Sequence, residues 1–167
     1  FAGNDILSSD GAGVITPNAS GIKNTPAFLV NLNSNQSIAN TTETLVQFTD
    51  VIYDTDSAYD TSTYKFTVPS GEGGKYEFTT SVRKNNWSST RFFARLYVNT
   101  TSGTNAVGES GAANTGAYAS SILTYTFNLS AGDTVFVYTY HNNGSSQNLR
   151  GTSDVGSYFM GRKLIGV

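Results

Sequence analysis

At 167 residues the chain is long enough for one domain with a core of its own and too short for two ordinary ones. It has no cysteine, which excludes a disulfide framework and a thiolate metal site, and its charged residues make up only 13% (ten basic, twelve acidic, net −2), too little basic surface for nucleic acid. Ser, Thr, Asn and Gly carry the remaining polarity, and no apolar run approaches the roughly 20 residues of a membrane-spanning helix, so no membrane insertion is expected.

Residues 1–25 read as an N-terminal extended arm or linker. Ile6, Leu7, Val14, Ile15 and Ile22 are scattered among Gly, Pro, Asn and Ser and cannot bury a core. No basic stretch followed by an apolar one opens the chain, and its start at Phe1 rather than Met suits a processed product or one part of a longer protein. The body, residues 26–167, begins with the strand "AFLVNLN", in which Phe28 and Val30 share one face and Ala27 and Leu29 the other. "NSNQSIANTTET" is polar with Ile38 as its anchor. "LVQFTDVIYD" adds strand material at Leu45–Phe48 and Val51–Tyr53, and "DTDSAYDTST" is a turn region.

Two alternating stretches follow, near Tyr64 to Val68 and Lys75 to Val82, joined by the glycine corner "PSGEGG". "RKNNWSST" reads as a loop and "RFFARLYVN" as a strand. "TTSGTNAVGESGAANTGAY" reads as a long glycine-rich loop with little to order it. "SSILTYTFNLS" alternates cleanly, "AGD" is a tight turn, and "TVFVYTYH" is a strand with apolar residues on both faces. "NNGSSQNLRGTSDVG" is a polar loop and "SYFMGRKLIGV" closes the chain as a last strand. No segment keeps a helical period with caps. About eight to ten short strands with Gly and Asn turns point to an all-β sandwich or jelly roll. A sandwich strand hides one face and wets the other, yet Phe92–Val98 and Thr134–His141 place aromatics on both. Their second face is covered by a neighbouring subunit or by a loop folding back.

The order of motifs resembles the C1q/TNF-like jelly roll over residues 26 to 166. It runs through "AF" at Ala27–Phe28, "YD" at Tyr59–Asp60 and "YKFTVP" from Tyr64 to Pro69. "GKYEF" from Gly74 to Phe78, "LYVN" from Leu96 to Asn99, "FNLSAGDTV" from Phe127 to Val135 and "FMGRKL" from Phe159 to Leu164 follow. The corner is longer than the family's usual step, and Arg162 stands where the closing strand often has an aromatic. The resemblance implies two antiparallel sheets and a homotrimer. Phe28, Tyr64, Phe66, Tyr76, Phe78, Tyr138 and Phe159 then become core or trimer-interface residues, and the corner joins strands of opposite sheets. Low-charge, Tyr-rich versions behind Ser/Gly/Asn-rich arms are similar to structural domains of tailed bacteriophages, in fibres, spikes or capsid decorations. That similarity implies a virion-surface protein held to other virion proteins through its arm and touching a host surface glycan. The alternative is a secreted C1q-like recognition lectin or adhesin.

Catalytic material is scarce, and no enzyme is expected. His141 is the sole histidine, and no serine sits in a nucleophile elbow. A glycosidase needs two carboxylates about 5 to 9.5 Å apart in a cleft, whereas the acids here fall mostly in turns. Asp50, Asp54, Asp56 and Asp60 form an acidic cluster. Asp54 and Asp56 are weak calcium candidates, because carboxylates two apart can supply oxygen ligands. EF-hand spacing is absent and Asx turns are favoured, so neither metal nor cofactor is assigned. Sequons at Asn86, Asn99 and Asn128 follow from composition. Ligand-binding candidates are the loop residues Asn85, Asn86 and Trp87, with His141 and Arg150. Trp87 beside amides suits stacking on a sugar or anchoring an interface, and equally suits plugging its own core.

Overall fold

The computed structural model describes residues 7–9, 15–17, 25–88, 91–112, 117–152 and 156–165. In chain order the strands are β1 (Leu7–Ser9), β2 (Ile15–Pro17), β3 (Ala27–Asn31), β4 (Gln36–Ile38), β5 (Thr44–Leu45), β6 (Asp50–Asp54), β7 (Tyr59–Asp60), β8 (Lys65–Thr67) and β9 (Gly74–Arg83). After them come β10 (Phe92–Thr100), β11 (Gly103–Ala112), β12 (Ser120–Leu129), β13 (Thr134–His141), β14 (Gln147–Leu149) and β15 (Tyr158–Lys163). Two antiparallel sheets face each other. One runs β12-β9-β15-β3-β6. The other runs β11-β10-β13-β8-β7, with β5 also pairing β13. β14 pairs β4 at one end of the sandwich, and β1 pairs β2 as a separate ribbon within the N-terminal stretch.

Period-2 alternation sets which residues enter the core. β3 alternates half-buried and buried, placing Phe28 and Val30 inside at 0% exposure. β9, β15 and β8 contribute Tyr76, Phe78, Phe159 and Phe66 to the same layer. Phe28 stacks on Phe66 (centroids 5.0 Å) and meets Phe159 edge-on (5.0 Å). Phe78 contacts Phe66, Tyr76 and Phe159 within 6.0 Å. Such aromatic pairs add to the stabilisation from burial alone. Gly161 of β15 is what lets them close: a Cβ there would lie 2.4 Å from the Phe78 ring and 2.8 Å from Phe28.

The glycine corner does join opposite sheets, leaving β8 in one and entering β9 in the other. Gly71, at φ 81°, takes a left-handed conformation that side chains resist. The path brings the Glu72 carbonyl to the Tyr76 hydroxyl, which donates to it at 2.6 Å. The Val68 amide donates to the Asp133 carbonyl and the Gly132 amide returns a bond to the Val68 carbonyl, so the corner is laced to the "AGD" turn.

Three expectations need correction. Residues 103–112, expected as loop, form β11. Its backbone pairs with β10 from Phe92↔Ala112 to Thr100↔Gly103, with a bulge at Leu96/Tyr97. Gly108 lies beneath Leu123 and Tyr125, whose side chains would stand 3.2–3.3 Å from a Cβ, so the small residue marks a crowded strand. Tyr64 lies outside β8: it closes the preceding turn at φ 60° and is half-buried, because its amide bonds back to the Asp60 carbonyl. The polar stretch after His141 contains β14, whose Leu149 is fully buried.

Candidate functional site

The loop candidates gather at one end of the sandwich, but the structure turns the largest of them inward. After β9, Lys84 bridges to Leu149, the Asn85 amide donates to the Asn148 carbonyl, and the Arg150 amide donates to the Arg83 carbonyl. Trp87 is 6% exposed, its indole N–H donates to the Asn148 carbonyl at 2.6 Å, and its ring meets Phe92 edge-on at 5.3 Å. Its face is therefore withdrawn from any sugar, which corrects the stacking expectation. His141 is fully buried against Trp87, with centroids 4.9 Å apart. Nε2 lies 3.2 Å from the Ile38 carbonyl and Nδ1 accepts the Asn143 amide, the pattern of a neutral imidazole. Burial holds its pKa below the ordinary value, with the Ile38 contact opposing. Asn86 is exposed at φ 62°, Asn85 and Arg150 are half-buried, and the Arg150 guanidinium lies 5.2 Å from the Tyr118 ring.

The acidic cluster is spent on turns. Asp54 accepts the amides of Ala58 and Tyr59 through its two oxygens (3.0 and 2.8 Å), and Asp56 accepts the Thr55 hydroxyl at 2.6 Å. Asp60 accepts the Ser62 amide and hydroxyl and the Thr63 hydroxyl, and these bonds, led by the Ser62 hydroxyl, hold its carboxyl below the usual range. Among the described residues no group of three or more acids or histidines is placed to hold a metal ion.

The two sheets present different outer faces. Across the five-stranded sheet runs a row in register, Tyr53–Leu29–Met160–Thr79–Thr124, with the two threonine hydroxyls 3.0 Å apart. The next row carries the ion pair Arg162–Glu77 (2.9 Å). Large apolar side chains are exposed at its opposite edges: Val51, Ile52 and Tyr53 on β6, and on β12 Ile122 on the outer face with Tyr125 on the inner side, in register with Phe78. Tyr118 just before β12 is exposed with Arg83 and Arg150 over its ring.

On the six-stranded sheet, alternation gives β10 an outward set of Phe93, Arg95 and Tyr97, facing Tyr140, Tyr138 and Phe136 of β13. Phe93 stacks on Tyr140 (5.0 Å, 11°) and Tyr97 on Phe136 (5.8 Å, 6°). Phe93 and Phe136 are nonetheless buried, at 3% and 4% exposure. Within the chain they are covered by the protein's own cations. Arg91 and Arg95 lie 5.0 and 4.4 Å from the Phe93 centroid, and Lys65 lies 4.6 Å from Phe136. Arg95 is fixed by Glu43 and Glu109, and the Tyr97 hydroxyl donates to Glu43 at 2.8 Å. Tyr138, expected in core or interface, is half-buried on this outer face, whereas Phe28, Phe66, Tyr76, Phe78 and Phe159 are interior to one chain.

Comparison with known proteins accords with this architecture. The zebrafish complement 1qA globular domain superposes with a TM-score of 0.62 at 18% identity, covering 84% of this chain and 98% of that one. Murine APRIL at pH 8.0 gives 0.65 at 15% identity, covering 83% and 98%. Eiger TNF from S. frugiperda gives 0.62 at 12% identity, covering 84% and 93%. No curated protein matches the chain. The family model for the C1q domain matches residues 27–162, and with the two-sheet jelly roll in place the chain belongs to the C1q domain family.

Proposed function

We propose that this chain is a non-enzymatic, self-associating structural and interaction module that works as a homotrimer. One observation carries this: the five-stranded sheet leaves unlike apolar patches at its two edges, Val51–Tyr53 on β6 and Tyr118, Ile122 and Tyr125 at β12. Between them lies the low-charge row from Tyr53 to Thr124. Patches that differ from each other need not pair about a two-fold axis. They can pair head to tail, and such contacts close into a ring when the rotation permits. Three copies is the number characteristic of C1q/TNF-like domains.

On this reading residues 1–25 are the segment through which the trimer joins something larger. A place on a virion surface, as fibre, spike or capsid decoration beside other virion proteins, is favoured by the Ser/Gly/Asn-rich N-terminal stretch ahead of a domain with 13% charge. A secreted recognition protein is favoured by membership of the C1q family. Genome neighbourhood separates them: capsid and tail genes alongside support the first, and their absence the second. The assembly itself is tested by sedimentation equilibrium on the purified chain. Three chain masses are expected, and a stable monomer overturns the proposal.

A further inference from the structure

A groove of about 490 Å³ crosses the outer face of the six-stranded sheet, lined by Glu43, Lys65, Tyr97, Thr104, Phe136 and Tyr138. That size falls within the range of about 300–1,000 Å³ usual for small-molecule clefts. Its floor is set by register. Tyr97 and Phe136 are direct cross-strand partners whose rings stack with planes 6° from parallel, so Phe136 backs the half-buried Tyr97. Tyr138 stands at 66° to both, 5.1 Å from Tyr97 and 5.8 Å from Phe136, and makes a wall. The polar rim comes from other elements: Glu43 just before β5, Lys65 opening β8, and Thr104 on β11.

The rim is positioned before any ligand arrives. Arg95 holds one Glu43 oxygen and the Tyr97 hydroxyl bonds the other at 2.8 Å, so the carboxylate is fixed while keeping lone pairs to offer. Lys65 lies over Phe136 and forms no ion pair with any described residue. Its flexible stem can leave the ring face and turn its three donors to a ligand. The Tyr138 hydroxyl is engaged by no described residue.

We propose that this groove binds a neutral saccharide, one face of a pyranose ring lying against the accessible Tyr97 and Tyr138 rings, its hydroxyls taken by Lys65, Glu43 and Tyr138. A pyranose has an apolar C–H face and a rim of hydroxyls that both donate and accept, which is the division the groove shows. A cationic ligand would meet Lys65 at the ring face it needs. An anionic one would meet the fixed Glu43 beside a single unpaired ammonium. The groove lies within one chain, so it stands or falls independently of the trimer.

Saturation-transfer difference NMR on the full chain, with methyl glucoside, galactoside, mannoside and N-acetylglucosaminide at concentrations up to tens of millimolar, tests the proposal. Transfer to the ring C–H protons of at least one is expected. Lys65→Met, which keeps the covering stem and loses the donors, should weaken that binding by about three- to tenfold, the loss of one or two hydrogen bonds. Tyr138→Leu should abolish the transfer, and Arg162→Met on the opposite sheet should leave it unchanged. Lys65 is half-buried on the outer face with no ion pair to any described residue, so its variant retains the fold even if Tyr138→Leu does not. Absence of transfer from all four sugars, or transfer untouched by Lys65→Met, overturns the assignment.

Discussion

The outer faces of the two sheets use similar residue types and finish them differently. On the six-stranded sheet every buried outward aromatic has a cation over it: Arg91 and Arg95 on Phe93, Lys65 on Phe136. On the five-stranded sheet Ile122 is 57% exposed and Ile52 is 53% exposed. A face that supplies its own cover has no need of a protein neighbour and is left free for a small ligand. A face without cover gains by meeting another copy, since exposed apolar patches on soluble proteins mark interaction sites.

Charge placed on the uncovered face gives the largest expected effect. Ile122→Asp, or Ile52→Asp, should convert the proposed trimer to monomer at micromolar concentration in sedimentation, because a buried unpaired carboxylate costs several kcal/mol. Arg91→Glu on the covered face should leave the mass unchanged. If both faces respond alike, the contrast between them is lost. Beneath the five-stranded sheet, Gly161→Ala forces a methyl to within 2.4 Å of the Phe78 ring. A loss of about 1–3 kcal/mol in denaturant unfolding is expected, the range for overpacking a filled core. Gly111→Ala on β11, where a Cβ has 3.8 Å to its nearest neighbour, should cost much less.

How far these features were legible in the sequence follows from how local their causes are. Phe28, Phe66, Tyr76, Phe78 and Phe159 could be grouped as core or trimer-interface residues because alternation within a single strand decides which side chains share a face; which of the two they were was not legible. The corner between sheets was legible because Pro69 and its glycines end one strand and turn the chain. β11 was not, since what crowds Gly108 is Leu123 and Tyr125, side chains outside its own segment. Trp87 was undecidable for the same reason: its cover comes from Asn148, 61 residues on. The groove joins Glu43 to Tyr97 across 54 residues, so only the doubled aromatic faces of β10 and β13 hinted at it.

The contrast of covered rings has a counterpart inside, and it yields the smallest prediction. Lys84 also lies over aromatic rings, 5.3 Å from Trp87 and 6.0 Å from Phe92, but it is fully buried and its Nζ has no hydrogen-bond partner among the described residues. Outside, a lysine over a ring keeps its hydration; inside it loses it, and burial pulls the Lys84 pKa below 10.5. The unfolded chain therefore binds more protons than the folded one between that depressed value and 10.5, so this group makes stability rise with pH across the window. His141, lowered by burial from 6.5, acts with the same sign below that value, and stability falls as pH drops through it. Tyr59 and Tyr76 are raised by burial, so their contribution is retained below 10.0 and does not oppose the trend there. Lys84→Met should fill the same space without the lone amine, raise stability at pH 7 by about 1 kcal/mol, and flatten the rise between pH 7 and 10.0. Equal slopes in urea titrations of the two proteins would show that the cation–π contacts with Trp87 and Phe92 compensate the buried amine in full, and that covering a ring with a cation is as favourable inside this fold as on its surface.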